Sequence, residues 1–286
     1  MKRALKWLAL LLVVLMVVVI AAAFWLLRTE SGLRFALDRA LAATEGKLAI
    51  GSSEGSLAGP LVLHDVRWRD AGVDVQIGRV LLDVAPLALL GKVAHVENLE
   101  VADVVVTATT QPPPAQPPAS EPFSLQPPID ILLDRLLVER VRVNQDGADV
   151  FEAERFATAA RWTRAELAVQ QLTLLAKQGE VDFDAQASTA GDDRGKADGR
   201  FRWQVDGTDY VGTVQANSDG KLPTAVVQLQ QPVAIRADLA AEAANVPLRD
   251  RWWQLKLTAE RFALERLVKE PPLRSVGLDL SARFNT

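Results

Sequence analysis

The stretch Phe201-Arg202-Trp203-Gln204-Val205-Asp206-Gly207 alternates apolar and polar side chains and then meets a dipeptide suited to a tight turn. Successive strand side chains point to opposite faces, so Phe201, Trp203 and Val205 share one face, and Asp206-Gly207 supplies residues that accept positive φ in a hairpin. The pattern recurs. Alternating runs at Leu136–Val143, Leu167–Leu175, Val181–Ala185, Val211–Ala216, Val226–Leu229, Val233–Leu239, Trp253–Leu257 and Val276–Phe284 follow one another, and Asp219-Gly220 offers another turn. Short strands at such regular spacing predict a long antiparallel meander. The last run still alternates when the sequence reaches Thr286, so the 286 residues are expected to be the front of something longer.

The same period governs the region upstream. Leu61–Trp68 reads as a strand, Asp70-Ala71-Gly72 as a turn, and Val73, Val75 and Ile77 alternate with Asp74, Gln76 and Gly78. Val80, Leu82 and Val84 continue with the opposite parity, which predicts a bulge or bend near Gly78. Pro86 opens a short helical turn over Leu87-Ala88-Leu89-Leu90, closed by Gly91, and strands resume at Val93–Leu99 and Val101–Thr109. Between these halves, Gln111–Pro128 carries eight prolines in eighteen positions and reads as an exposed polyproline excursion between strands. The glycine-rich Gly51–Gly59 stretch reads as a connection, since no helix follows it.

Further upstream, Thr29-Glu30-Ser31 can cap a helix with Leu33, Ala36, Leu37, Ala40 and Leu41 on one side, an Arg34–Asp38 pair on the other and Gly46 as a stop. Such a helix either rests on a membrane leaflet or caps the sheet behind it. It follows an uncharged 21-residue segment, Trp7–Leu27, which at about 1.5 Å per residue spans roughly the 30 Å of a bilayer core. Leu10, Leu15 and Ile20 sit in its apolar body, with Trp7 and Trp25 near its ends and Leu27 closing it. Lys2, Arg3 and Lys6 put the N-terminus in the cytoplasm by the positive-inside rule. Ala21-Ala22-Ala23 resembles a signal-peptidase site, but the apolar run is too long for a cleaved signal and resumes with Phe24-Trp25-Leu26-Leu27, so an uncleaved signal-anchor is expected. The chain thus divides into a cytoplasmic tip and anchor (1–28), an amphipathic helix (29–46), a first β region (47–110), a proline-rich loop (111–128) and a second β region (129–286).

Composition narrows the function. With Lys2, Arg3, Lys6 and Arg28 flanking the anchor, the remainder holds 28 basic against 36 acidic residues, a net charge of −8, with no basic stripe to release counterions from a polyanion. Nucleic acid is not an expected partner. The absence of cysteine removes disulfides, thiolate metal sites and thiol nucleophiles together. His64 and His95 are single strand histidines, and the paired acids Asp192-Asp193 lie in a Gly/Asp-rich turn at Ala190–Gly199. Neither a Gly-x-Ser-x-Gly elbow nor a phosphate-binding Gly-Lys-Ser/Thr loop occurs. No catalytic, metal or cofactor site is expected.

Thr29-Glu30-Ser31-Gly32-Leu33, then Gly55–Val66, Gly72-Val73-Asp74-Val75, the Leu81–Leu90 segment and Val96-Glu97-Asn98-Leu99-Glu100-Val101 behind a signal-anchor together resemble the N-terminal part of the TamB (translocation and assembly module subunit) family, within the broader AsmA-like group. The resemblance runs in order along the chain, including a variable loop at 111–128 and, at Leu257-Thr258-Ala259-Glu260-Arg261-Phe262 with Leu264 and Leu267 before Pro271-Pro272, the step from strand to short turn and back. It implies a mainly β fold in which a long antiparallel sheet curls into an apolar groove, a β-taco or β-helix-like form. It also implies an inner-membrane bridge across the periplasm, carrying phospholipid between the membranes or supporting outer-membrane protein assembly. A TamA-like outer-membrane barrel would be met through a C-terminal region beyond these residues. On this reading Val73, Val75, Ile77, Val181, Phe183, Phe201, Trp203, Val205, Leu278, Leu280 and Phe284 line the groove for acyl chains. By alternation alone the same residues could equally fill a closed sandwich core. A lipid-independent scaffold that binds outer-membrane protein partners through strand edges is the alternative function.

Overall fold

The computed structural model describes residues 28–109, 126–190, 194–220, 222–242, 251–263 and 275–285. The anchor at 7–27 and nearly all of the proline-rich loop lie outside them. Among the described residues no helix is long and apolar enough to cross a membrane. They fall into two units, one of residues 1–113 and 139–150, the other of residues 114–138 and 151–286.

The first unit begins with helix α1 (Glu30–Ala43). Thr29 caps it in extended conformation, its hydroxyl accepting from the Gly32 N–H at 3.1 Å, the N-cap geometry its side chain predicts. Arg34 pairs back to Glu30 at 3.9 Å, in place of the expected pair with Asp38. An acid one turn N-terminal to a base also suits the helix dipole better. Gly32 and Leu33 are the buried residues of α1, which packs on β2.

Strands β1 (Leu48–Ala49) and β2 (Ser52–Gly55) both pair with β3 (Leu61–Asp70), followed antiparallel by β4 (Val73–Val84) and β5 (Val93–Ala108). A 3-10 turn at Pro86–Gly91 joins β4 to β5, as the sequence predicts. Two expectations are corrected here. Half of the Gly51–Gly59 connection is strand β2, paired Gly55 to Leu61, because Gly55 takes φ +99 and its missing Cβ leaves room for the Pro60 carbonyl. The runs at Val93–Leu99 and Val101–Thr109 are one strand, not two.

The predicted bend near Gly78 is shared by neighbouring strands. Asp65 (φ 54) and Asp103 (φ 61) take left-handed conformations between the register pairs that flank Gly78 on either side. An ideal Cβ on Gly78 would lie 2.9 Å from Asp103 Cβ, so glycine is what lets the two strands close there. Asp tolerates this backbone region better than most residues. Across the row the paired apolar sets jump together, from Val66/Ile77/Val104 to Leu63/Val80/Val101, so the main apolar set of each strand stays on one face, with Val62, Leu81 and Val105 on the other. Arg140, on β6 (Asp130–Gln145), is also left-handed at φ 54 and donates to Asp103 at 2.6 and 3.0 Å.

The second unit is a meander in chain order. β7 (Ala148–Trp162) leads, sharing residues 148–150 with the first unit, and is followed by β8 (Glu166–Ala176), β9 (Gly179–Ser188), β10 (Arg194–Val205) and β11 (Thr208–Asp219). Then come β12 (Thr224–Gln231), β13 (Ile235–Ala241), β14 (Trp252–Ala263) and β15 (Ser275–Asn285), each antiparallel to its predecessor. Asp206 (φ 48) and Gly207 (φ 75) make the expected tight hairpin, and Asp146 (φ 52) and Gly147 (φ 86) repeat it. The Ala190–Gly199 turn is corrected as well, since residues 194–199 belong to β10, while Asp192 and Asp193 lie outside the described residues.

Candidate functional site

Following the strand pairs of the second unit from one strand to the next yields rows of side chains that share a face. One row reads Leu172, Phe183, Gly199, Val214, Val227, Ala237, Leu257, Leu280 from β8 to β15. A parallel row reads Val169, Ala185, Ala197, Ala216, Ala225, Leu239, Leu255, Ala282, and a third, shorter one Leu174, Val181, Phe201, Gly212, Leu229, Ile235. None contains a polar side chain. The row between, on the opposite face, reads Thr173, Asp182, Arg200, Thr213, Gln228, Arg236, Thr258, Asp279, and none of these is apolar. Eight strands at about 4.8 Å spacing make each long row about 34 Å.

These rows hold four of the eleven residues predicted to line a groove, and the same face of the second unit carries four more. Val181 and Phe201 are directly paired, Phe183 and Leu280 end up in one row, and Trp203 faces Gly179 on one side and Tyr210 on the other. Val205 pairs with Thr208, Leu278 with Ala259 and Phe284 with Trp253, all on the same face. In the first unit Val75 lies between Trp68 and Val106, Ile77 between Val66 and Val104, and Val73 between Asp70 and Ala108. Trp7, Leu10, Leu15, Ile20, Trp25 and Leu27 lie outside the described residues.

Burial distinguishes this face from a closed core. Large apolar side chains inside a sandwich are normally shut off from water. Here Val205, Val227, Leu278, Leu280 and Phe284 are 48, 38, 44, 50 and 39% exposed, and among the described residues the buried apolar side chains of β7 to β15 are alanines, Ala153, Ala176, Ala241 and Ala259, with Ala168 on the opposite face. Small residues also shape the floor. An ideal Cβ on Gly199 would lie 2.8 Å from the Phe183 ring, and one on Gly212 2.8 Å from the Phe201 ring, so both rings lie down over glycine. Beside them the alanine row opens into a shallow apolar hollow of about 280 Å³, edged by Leu167, Val169 and Pro223. The glycines and alanines that make this floor carry little weight in a hydrophobicity pattern, so alternation alone does not announce them.

The opposite face is ionic and solvated. Arg200 donates to Asp182 at 2.7 Å, Arg236 to Asp238 at 2.7 Å and Arg283 to Glu242 at 2.8 Å, with Arg283 also 4.7 Å over the Trp252 ring. In the first unit Asp74 accepts from Arg67 and Arg69, and Asp70 from Lys47. Hydrogen bonds from Arg67, Arg140, Arg236 and Lys47 hold the carboxyls of Asp74, Asp103, Asp238 and Asp70 below their ordinary value of 3.8. A depressed folded value means the stabilisation is present above the unfolded pKa and lost as pH falls through the folded one. The melting temperature of the detergent-solubilised chain, followed by circular dichroism, is therefore expected to be level from neutral pH down to about 4 and to drop below it. Asp103→Asn should flatten part of that drop; an identical acid limb in the variant would remove Asp103 from the account.

His64 pairs across from Arg79 in mid-sheet, whereas His95 lies at the far end of β5 beside the 3-10 turn. Among the described residues no group of three His, Asp or Glu side chains is placed to hold a metal ion.

Compared with known proteins, residues 18–198 match one family model, described as TamB, N-terminal domain. Neither a curated protein nor a solved structure matches the chain.

Proposed function

The chain belongs to the TamB family by its N-terminal domain, and from that premise we propose that it is anchored in the inner membrane by residues 7–27 and carries phospholipid acyl chains along its apolar β face. Membership gives it a part in the translocation and assembly module. The observation that carries the finer reading is the set of uninterrupted apolar rows, half open to solvent, running across eight strands from Leu172 to Leu280. An acyl chain on such a face gains about 25 cal/mol per Å² of apolar surface removed from water. Where neighbouring strands offer equivalent surface, moving one strand onward costs little, so a lipid slides without a large step. The glycines and alanines of the floor keep the track wide, while the ionic face keeps the other side of the sheet in solvent. Chemistry is not part of this proposal, and an outer-membrane barrel partner enters only as the acceptor end of the path.

A photo-crosslinking residue at Phe183, Trp203 or Leu280 tests it. Phospholipid adducts are expected from these positions and not from Asp184, Gln204 or Asp279, their neighbours on the other face. Absence of lipid adducts at all six would sink lipid carriage and leave a scaffold that holds outer-membrane protein partners at strand edges.

A further inference from the structure

The 3-10 turn at Pro86–Gly91 exposes Leu87, Leu89 and Leu90 by 74, 57 and 86%. Three leucines at one loop tip are more than the scattered apolar exposure of an ordinary surface. Pro86, the left-handed Lys92 at φ 60 and the Lys92 N–H bonded back to the Leu89 carbonyl at 2.9 Å hold the tip in shape.

Its place in the first unit says what covers it. β2 ends at Gly55 paired to Leu61, Leu61 pairs with Leu82, and the turn begins shortly after β4 ends at Val84, so the leucines lie at the Leu61 end of this sheet. Helix α1 approaches the same end. Its C-terminus is joined by a short link to Leu48, which pairs with Trp68 at the opposite end of β3, and its buried first-turn residues Gly32 and Leu33 accompany its packing on β2. The helix therefore runs back along β1 and β2 toward the Leu61 end of the sheet, the end at which the leucine turn also lies, and Arg28 and Thr29, which follow the uncharged 7–27 segment in the sequence, precede its first turn. We infer that the Pro86–Gly91 turn is a second membrane foot, its leucines inserted into the same leaflet from which α1 emerges, with Lys92 at the phospholipid headgroups. Leucine inserts readily at an interface, and a lysine at its edge keeps its amine among lipid phosphates. Two attachments, an anchor and a foot, fix the direction of the first strands relative to the bilayer, which a single helix cannot do.

This inference rests on the proposed anchor at 7–27. Because the chain has no cysteine, Leu90→Cys gives a unique site for an environment-sensitive nitrobenzoxadiazole dye, and Thr109→Cys, at the other end of β5, gives a control. Each full-length variant is reconstituted into phosphatidylethanolamine/phosphatidylglycerol vesicles with and without doxyl-labelled lipid, and flotation is scored separately. The expected result is flotation of both, with a blue-shifted emission quenched several-fold at position 90 and unchanged at position 109. Flotation without quenching at 90, or with equal quenching at 109, overturns the foot while leaving the anchor. Failure to float overturns the anchor and the foot with it.

Discussion

Gly212→Val is expected to lower the stability of the second unit by about 3 kcal/mol, at the upper end of ordinary overpacking losses. Gly212 is buried, and an ideal Cβ there would lie 2.5 Å from the Gln228 carbonyl oxygen and 2.8 Å from the Phe201 ring. The ring can turn aside. The carbonyl cannot, because it belongs to the β11–β12 pairing, whose register already shifts between Val211 and Gly212. Urea denaturation of Gly212→Val, Phe201→Ala and the double variant separates the two clashes. Only part of the loss should return when the ring is removed, and full recovery would mean that the backbone contact is unimportant. Gly207→Asn is the contrast. It keeps φ 75 in the hairpin with nothing within 4 Å of the new Cβ, and asparagine accepts that conformation, so little change is expected.

The same glycines explain what alternation could and could not announce. Runs such as Val181–Ala185 and Phe201–Val205 were legible as strands because β-branched and aromatic residues alternate with charges at period two. The parity change between Ile77 and Val80 was legible as a bend, but its collective nature was not. It depends on Asp65 and Asp103 flanking Gly78 across two register pairings, and register is a long-range property. β7 is not legible as a strand in the sequence because Ala153, Ala157, Ala159 and Ala160 have low strand propensity and their parity slips at bulges near Arg155 and Ala159. β2 reads as part of a connection and the first half of β10 as part of a turn, because Gly51, Gly55, Gly195 and Gly199 look like loop residues. In the sheet these glycines admit a close neighbour, such as the Asp65 Cβ 2.9 Å from an ideal Cβ on Gly51 and the Phe183 ring over Gly199.

For the candidate site, the sequence identified side chains but could not join them. Phe183 and Leu280 are nearly a hundred residues apart, and only the chain of pairings through Gly199, Val214, Val227, Ala237 and Leu257 places them on one line. Nor could alternation choose between an open face and a closed core, because both place the same residues on one side. The half-exposed state of Val205, Val227, Leu278 and Leu280 bears on that choice.

A charge placed midway along that line should divide it. Val227 stands between Val214 and Ala237 and is 38% exposed, so Val227→Asp is expected to cost about 1–2 kcal/mol of stability and leave the strands paired. Its effect on a lipid is larger. An acyl chain crossing β12 would have to pass an aspartate, either stripping water from a carboxylate or leaving the surface, and each course costs several kcal/mol. With crosslinkers at Phe183 and Leu280 in the same molecule, adducts should persist at the end nearer the lipid source and fall by at least about tenfold at the other, the change that 1.4 kcal/mol produces. The position that keeps its adducts then reports the direction of passage. Gln228→Asp puts the same charge next door on the polar face and should leave both adducts unchanged. If Val227→Asp also leaves both, lipid does not travel along the row, and the two ends are loaded independently.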